Sequence, residues 1–158
     1  MESIEEVDTT IDRTNGGFLV GKIKQIQGRV FEKLLTDHGI SEFNGAQGRI
    51  LFVLWDQDGI SIRELSDRTG LAKTTLTSML DRLEHSGHIL RAADPKDRRS
   101  MRIHLTERAR GLREQYDAVS MEMNELFYRG FSDEEILTFE HNLRRILDNL
   151  TKKEKQHG

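Results

Sequence analysis

The chain has no cysteine among its 158 residues, which excludes disulfides, thiolate metal sites and cysteine-based peroxide sensing and is compatible with a reducing compartment. No run approaches the roughly 18 apolar residues of a membrane span, and the first residues are acidic where a signal peptide would be basic and then apolar. A cytoplasmic protein with no membrane partner is expected. Catalytic signatures are missing too: there is no G-x-S-x-G, no phosphate-cradling glycine loop and no H-E-x-x-H. The chain is therefore read as no enzyme, with no cofactor. Apolar residues make up 35% of it, enough for one domain with a modest core.

Charge is plentiful but unevenly spread. The net value is only −3, which argues against a generic polyanion binder, and residues 1–12 hold Glu2, Glu5, Glu6, Asp8 and Asp12 with no base. Residues 91–113 run the other way: Arg91, Lys96, Arg98, Arg99, Arg102, Arg108, Arg110 and Arg113 face only Asp94, Asp97 and Glu107. The local field, not the net charge, points to function.

Apolar spacing lays out the elements. Residues 1–15 read as a flexible acidic arm. Leu19, Ile23, Ile26, Val30 and Leu34 recur at helical steps, predicting a first helix within 16–40. Asn44 and Gln47 form a capping box for a second helix, in which Gly45 and Gly48 stand early, either tolerated or admitting a close neighbour. Two short helices then meet at Thr69-Gly70, and Leu76, Met79, Leu80 and Leu83 stripe the second of them: a helix-turn-helix. Residues 88–92 and 101–105, the latter alternating apolar and polar, read as strands of a hairpin whose tip holds the only proline, Pro95. A long helix follows Thr106, and Ser132 with Glu135 caps a last one. Their seams, Val119 and Met123 in one and Leu143, Ile146 and Leu150 in the other, join Leu19 and Ile23 as surplus apolar stripes that a second copy of the chain would cover. Residues 153–158 are expected to fray.

The helix after Thr69-Gly70 turns Thr74, Ser78, Asp81 and His85 away from its apolar stripe, with Thr75, Thr77 and Arg82 at the flanks. Short hydroxyl side chains let a helix backbone approach base edges in a major groove, and Lys73 and Arg82 would meet phosphates. A hairpin displaying Lys96, Arg98, Arg99 and Arg102 directly afterwards fits a wing that places an Arg in a narrow minor groove, with Asp97 able to brace it by a bidentate pair. The bland counterparts are a solvated helix face and a solvated turn; their unbroken succession favours double-stranded DNA as the partner.

Two stretches, "LSDRTGLAKTTLTSMLDRLEHSGHILR" (65–91) and "DPKDRRSMRIHLT" (94–106), resemble the MarR (multiple antibiotic resistance regulator) family, and the likeness runs from about residue 18 to 150. The resemblance implies a mainly α fold with a small β-hairpin: a winged helix-turn-helix over 44–105, flanked by dimerisation helices at 16–40 and 106–152, in one domain of residues 16–152. It further implies a homodimer on a pseudo-palindromic operator, usually repressing, and in many members released by a small phenolic or aromatic acid. Carried over by position, recognition-helix roles fall on Lys73, Thr74, Thr75, Thr77 and Ser78, the minor-groove role on Arg99 and its bracing acid on Asp97. Ala72 departs from the usual Ser or Asp cap, which leaves the helix start open. An effector pocket would draw on Ile26, Val30, Arg49, Phe52, Trp55 and Tyr116, although plain core or dimer packing is the favoured reading of each. Two rivals remain: a winged-helix module that binds protein instead of DNA, and a metal-responsive regulator using His85 and His88, although Gly87 separates them and no metal site is expected.

Overall fold

The computed structural model describes residues 13–157, so the expected acidic arm lies outside the described residues up to position 12. The elements are α1 (Gly16–Asp37), α2 (Gly45–Asp56), β1 (Ile60–Ser61), α3 (Ile62–Thr69), α4 (Lys73–His85), β2 (Ile89–Asp94), β3 (Asp97–Leu105), α5 (Glu107–Arg110), α6 (Arg113–Phe127) and α7 (Asp133–His157). The fold is mainly helical with one small antiparallel sheet, as expected. Two compact units divide between Val119 and Ser120, within α6.

In the first unit the local chemistry fixes each boundary. The side chain of Asn44 accepts from the Gln47 N–H at 2.9 Å and that of Gln47 accepts from the Asn44 N–H at 3.1 Å, a reciprocal cap worth about 1 kcal/mol. Behind it Ile50, Leu51 and Leu54 are wholly buried. The Ser61 hydroxyl caps α3 by accepting from Glu64 N–H, and Gly70, at φ +74, ends that helix in the left-handed conformation a tight turn requires. Helix α4 starts at Lys73 although Ala72 offers no side-chain cap, so burial of Leu76, Leu80 and Leu83 holds it in place.

The sheet has the order β1-β3-β2, with Ile60 opposite Ile103, Ile89 opposite Leu105 and Arg91 opposite Ile103. Two features differ from the expectation. Strand β1, only two residues long, carries no alternating pattern to reveal it. The hairpin strands reach the tip, leaving only Pro95 and Lys96 as the turn, because backbone pairing along an exposed hairpin does not depend on apolar alternation.

The long helix expected after Thr106 is broken at Gly111 and Leu112. Ala109 and Tyr116 are both buried, and Leu112 N–H bonds to Ala109 carbonyl at 3.2 Å, a tighter i to i−3 link. In the second unit Ser132 and Glu135 exchange the expected capping bonds at 3.0 and 3.2 Å. The rings of Phe127, Tyr128, Phe131 and Phe139 pack at the turn into α7. That helix runs through His157 instead of fraying from residue 153. The Asp148–Lys152 pair at 2.9 Å and the lysines of its last turns, which oppose the negative helix terminus, account for the extension.

Candidate nucleic-acid interface

On α4 the side chains of Lys73, Thr74, Thr75, Thr77, Ser78 and Arg82 are all exposed. Lys73, Thr74, Thr77, Ser78 and Asp81 border one shallow depression, with Thr75 and Arg82 outside it. Thr77 donates its hydroxyl to the Lys73 carbonyl at 2.8 Å, leaving the hydroxyls of Thr74, Thr75 and Ser78 without an intramolecular partner among the described residues. Asp81 is the one acid on that rim, and Arg91, from β2, pairs with it and with Glu84 at 3.4 Å. The Arg91 N–H also reaches Glu84 Oε2 at 3.2 Å. Three polar links thus tie α4 to the first wing strand; the sequence put Asp81 on the outward face of the helix but gave no sign of its pairing with Arg91, and Glu84 did not stand out at all.

The wing corrects two expectations. Asp97 accepts from the backbone N–H of Arg99 at 3.0 Å instead of bracing its guanidinium, since a side chain two residues back is in reach of the amide at the start of a strand. Arg102 is a strut and not a free wing cation: Nη1 donates to the Gly59 carbonyl at 2.8 Å, and Nε lies 3.1 Å from Asp94 Oδ2. Asp94, nearly buried, also accepts from the Lys96 N–H at 2.9 Å. That bond and the Arg102 charge hold its carboxyl below the usual range against the opposing effect of burial. Lys73, Arg82, Lys96, Arg98 and Arg99 remain exposed and without a carboxylate partner among the described residues.

At the root of the wing, Glu42 takes both Nε (2.6 Å) and Nη2 of Arg108. His88 lies against this pair with 1% exposure, whereas His85 is exposed on α4, so the two histidines do not converge on a metal. Among the described residues no three acidic or histidine side chains cluster as metal ligands.

The residues considered for an effector pocket divide. Trp55 and Tyr116 belong to the core: the indole N–H donates to the Ala109 carbonyl at 3.0 Å, and the two rings pack with centroids 5.0 Å apart and planes tilted by 52°. Burial pushes the Tyr116 phenol up to about 12, with the Arg49 charge acting in the opposite sense. Phe52 is exposed beside Tyr116, with centroids 6.3 Å apart, and Ile26 and Arg49 are exposed. Val30 is half-buried. Of the residues considered for subunit contact, Leu19, Ile23, Ile146 and Leu150 are exposed and Leu143 half-buried, but Val119 and Met123 are buried within the single chain.

A sequence model of the MarR family matches residues 43–101. The HTH-type transcriptional regulator TtmR of Methylorubrum extorquens is 41% identical over 92 residues, covering 58% of this chain and 46% of TtmR. The chain therefore spans about half the length of that relative. YsmB of Bacillus subtilis, an uncharacterized HTH-type transcriptional regulator, is 31% identical over 100 residues, covering 63% of this chain and 68% of YsmB. Among solved structures, a MarR transcriptional regulator from Methanosarcina mazei Go1 superimposes with a TM-score of 0.74 at 26% identity, covering 86% of this chain and 96% of that one.

Proposed function

This chain belongs to the MarR family of transcriptional regulators and carries its winged helix, and from that premise we propose that it reads a pseudo-palindromic operator as a homodimer. The observation that carries the reading is the set of unpaired cations. Lys73 and Arg82 on α4 and Lys96, Arg98 and Arg99 on the wing are free for phosphates, while Asp97 and Arg102 hold the wing's shape. Phosphate contacts set register and affinity, and the hydroxyls of Thr74, Thr75 and Ser78 supply donors and acceptors for base edges. The acceptor Asp81 is compensated by Arg91, which lessens its repulsion of the backbone.

Selection of bound sites from a random duplex pool at about 0.15 M salt, where non-specific binding is weak, tests this. The expected product is an inverted repeat with half-sites about 34–36 Å apart, one helical turn. No enrichment transfers the winged helix to protein binding. Arg99→Ala is expected to weaken binding to the selected duplex and to flatten its salt dependence, since each neutralised phosphate adds about 0.9 to the log-log slope. An unchanged affinity and slope would remove Arg99 from the interface.

The finer reading is a repressor relieved by a small aromatic acid. It draws support from the exposed Phe52 ring beside Tyr116 and from the nearby Arg49 cation, a surface suited to a ring and a carboxylate. Titration of the selected complex with benzoate and salicylate tests it, with Arg49→Ala as the variant expected to lose any release.

A further inference from the structure

Buried polar atoms are almost always hydrogen-bonded, so one that is not calls for an explanation. Nε2 of His88 is the single buried side-chain nitrogen or oxygen without a partner among the described residues. Its ring is held at the junction where α4 ends and β2 begins. The His88 N–H bonds to the Leu83 carbonyl, and the His88 carbonyl accepts from Thr106 N–H. Nδ1 lies 2.6 Å from the Ser86 hydroxyl, which is 3.2 Å from the Leu83 carbonyl. The edge of the ring meets Phe43 at a centroid distance of 5.9 Å. Two charged groups act on it: Glu42, from the connection between α1 and α2, with Oε1 3.8 Å from Nε2, and Arg108 of α5, which grips the same carboxylate.

A neutral imidazole has one N–H. If Ser86 donates to Leu83, Nδ1 must carry that hydrogen, and Nε2 becomes a bare acceptor facing a carboxylate. If Ser86 donates to Nδ1, the Nε2–H points across a gap too long for a hydrogen bond. A second proton resolves both cases at once. Nδ1–H then donates to Ser86, Ser86 to the Leu83 carbonyl, and Nε2–H to Glu42, provided that the gap closes by roughly 0.9 Å to an ordinary hydrogen-bond length. Closing it moves the root of the wing relative to the connection that leads into α2, and Glu42 must share its oxygens between His88 and Arg108.

We propose that His88 is a proton-operated joint: uptake of a proton from solvent in mildly acid conditions engages Nε2 with Glu42, shifts the root of the wing relative to the connection into α2, and weakens the grip of the winged helix on its duplex. The proposal rests on the DNA-reading function above only for its last clause. Burial, reinforced by the Arg108 charge and opposed by Glu42, sets His88 below the ordinary histidine value of 6.5. The joint is therefore neutral at pH 7.5 and is operated as pH falls below that value. By linkage, a duplex that prefers the neutral joint lowers the proton affinity of His88 further.

The test uses the full chain and His88→Gln, with His88→Phe, which can pack against Phe43, as a second non-titrating variant should Gln impair folding. In an NMR titration from pH 8 to 5.5, the histidine resonance missing from the variants is expected to titrate below 6.5, with the Phe43, Gly87 and Arg108 amides following it. A midpoint at or above 6.5, or amides that stay still, overturns the joint whatever the protein binds. On the selected duplex, wild-type affinity is expected to fall about fivefold or more between pH 7.5 and 5.5 relative to the variants, a typical lower bound for coupled sites. The other histidines are common to all three proteins and cancel in that comparison. Equal pH dependence in wild type and variants overturns the link to DNA. Failure to select any duplex would instead count against the DNA-reading function, while the NMR titration would still decide the joint.

Discussion

Gly48 illustrates how much a single missing side chain decides. A methyl group there would stand 2.7 Å from Cε2 of Tyr116 and 3.3 Å from Phe43, inside the aromatic group that also contains Trp55. Alanine normally favours a helix over glycine by about 1 kcal/mol, yet at this site overpacking should win. Gly48→Ala is expected to lower stability by about 1–3 kcal/mol in denaturant unfolding, and a stabilised protein would show that the Tyr116 ring yields. Gly45, with Glu32 Oε1 accepting its N–H at 2.6 Å, is likewise a point of close approach. His88 belongs to the same scale. Because its folded-state proton affinity is lowered, the unfolded chain binds more protons below pH 6.5, and stability drops as pH falls through that window. His88→Phe should shallow the drop between pH 7.5 and 5.5, as read by thermal unfolding at each pH.

At the scale of elements, the attachment of α4 to β2 makes a further prediction. Asp81 and Glu84 hold Arg91 away from any ligand. Asp81→Asn removes a negative charge from the rim of the depression and loosens one of those links. Its affinity for a duplex of unrelated sequence should rise, and the log-log salt slope should steepen by about 0.9 for each Arg91 that reaches a phosphate. An unaltered slope in a salt titration would mean that Glu84 suffices to retain the guanidinium. Elements built on local rules were legible in the sequence: the Asn44–Gln47 and Ser132–Glu135 boxes, the Gly70 turn and the stripe of Leu76, Leu80 and Leu83. What escaped was non-local. The bond from Arg102 to Gly59 spans 43 positions and that from Arg108 to Glu42 spans 66; neither leaves a periodic trace, so Arg102 read as a wing cation and His88 as a strand residue or a metal ligand. The break at Gly111 was hidden because the apolar seam continues unbroken across it.

At the scale of the whole molecule, nine of the fifteen large exposed apolar side chains among the described residues lie on α1 and α7: Phe18, Leu19, Val20, Ile23 and Ile26 on α1, and Leu137, Ile146, Leu147 and Leu150 on α7. Apolar stripes of that kind on a helix mark an association face. Ile146→Glu is expected to convert dimers to monomers or aggregates in sedimentation velocity, and an unaffected dimer would relocate the subunit contact to other residues. Strand β3 bears on the same question of how a change far from the duplex could reach it. It pairs with β1 on one side and β2 on the other, with Arg99 near its tip and α5 beginning just past its base. Ile60 pairs with Ile103 near the base of this strand. At about 3.3 Å per residue, Arg99 stands some 13 Å beyond that point, so a tilt of about 10° at the base sweeps its Cα through about 2 Å. The wing has the geometry of a lever arm: any small rotation at its base would be magnified at the guanidinium.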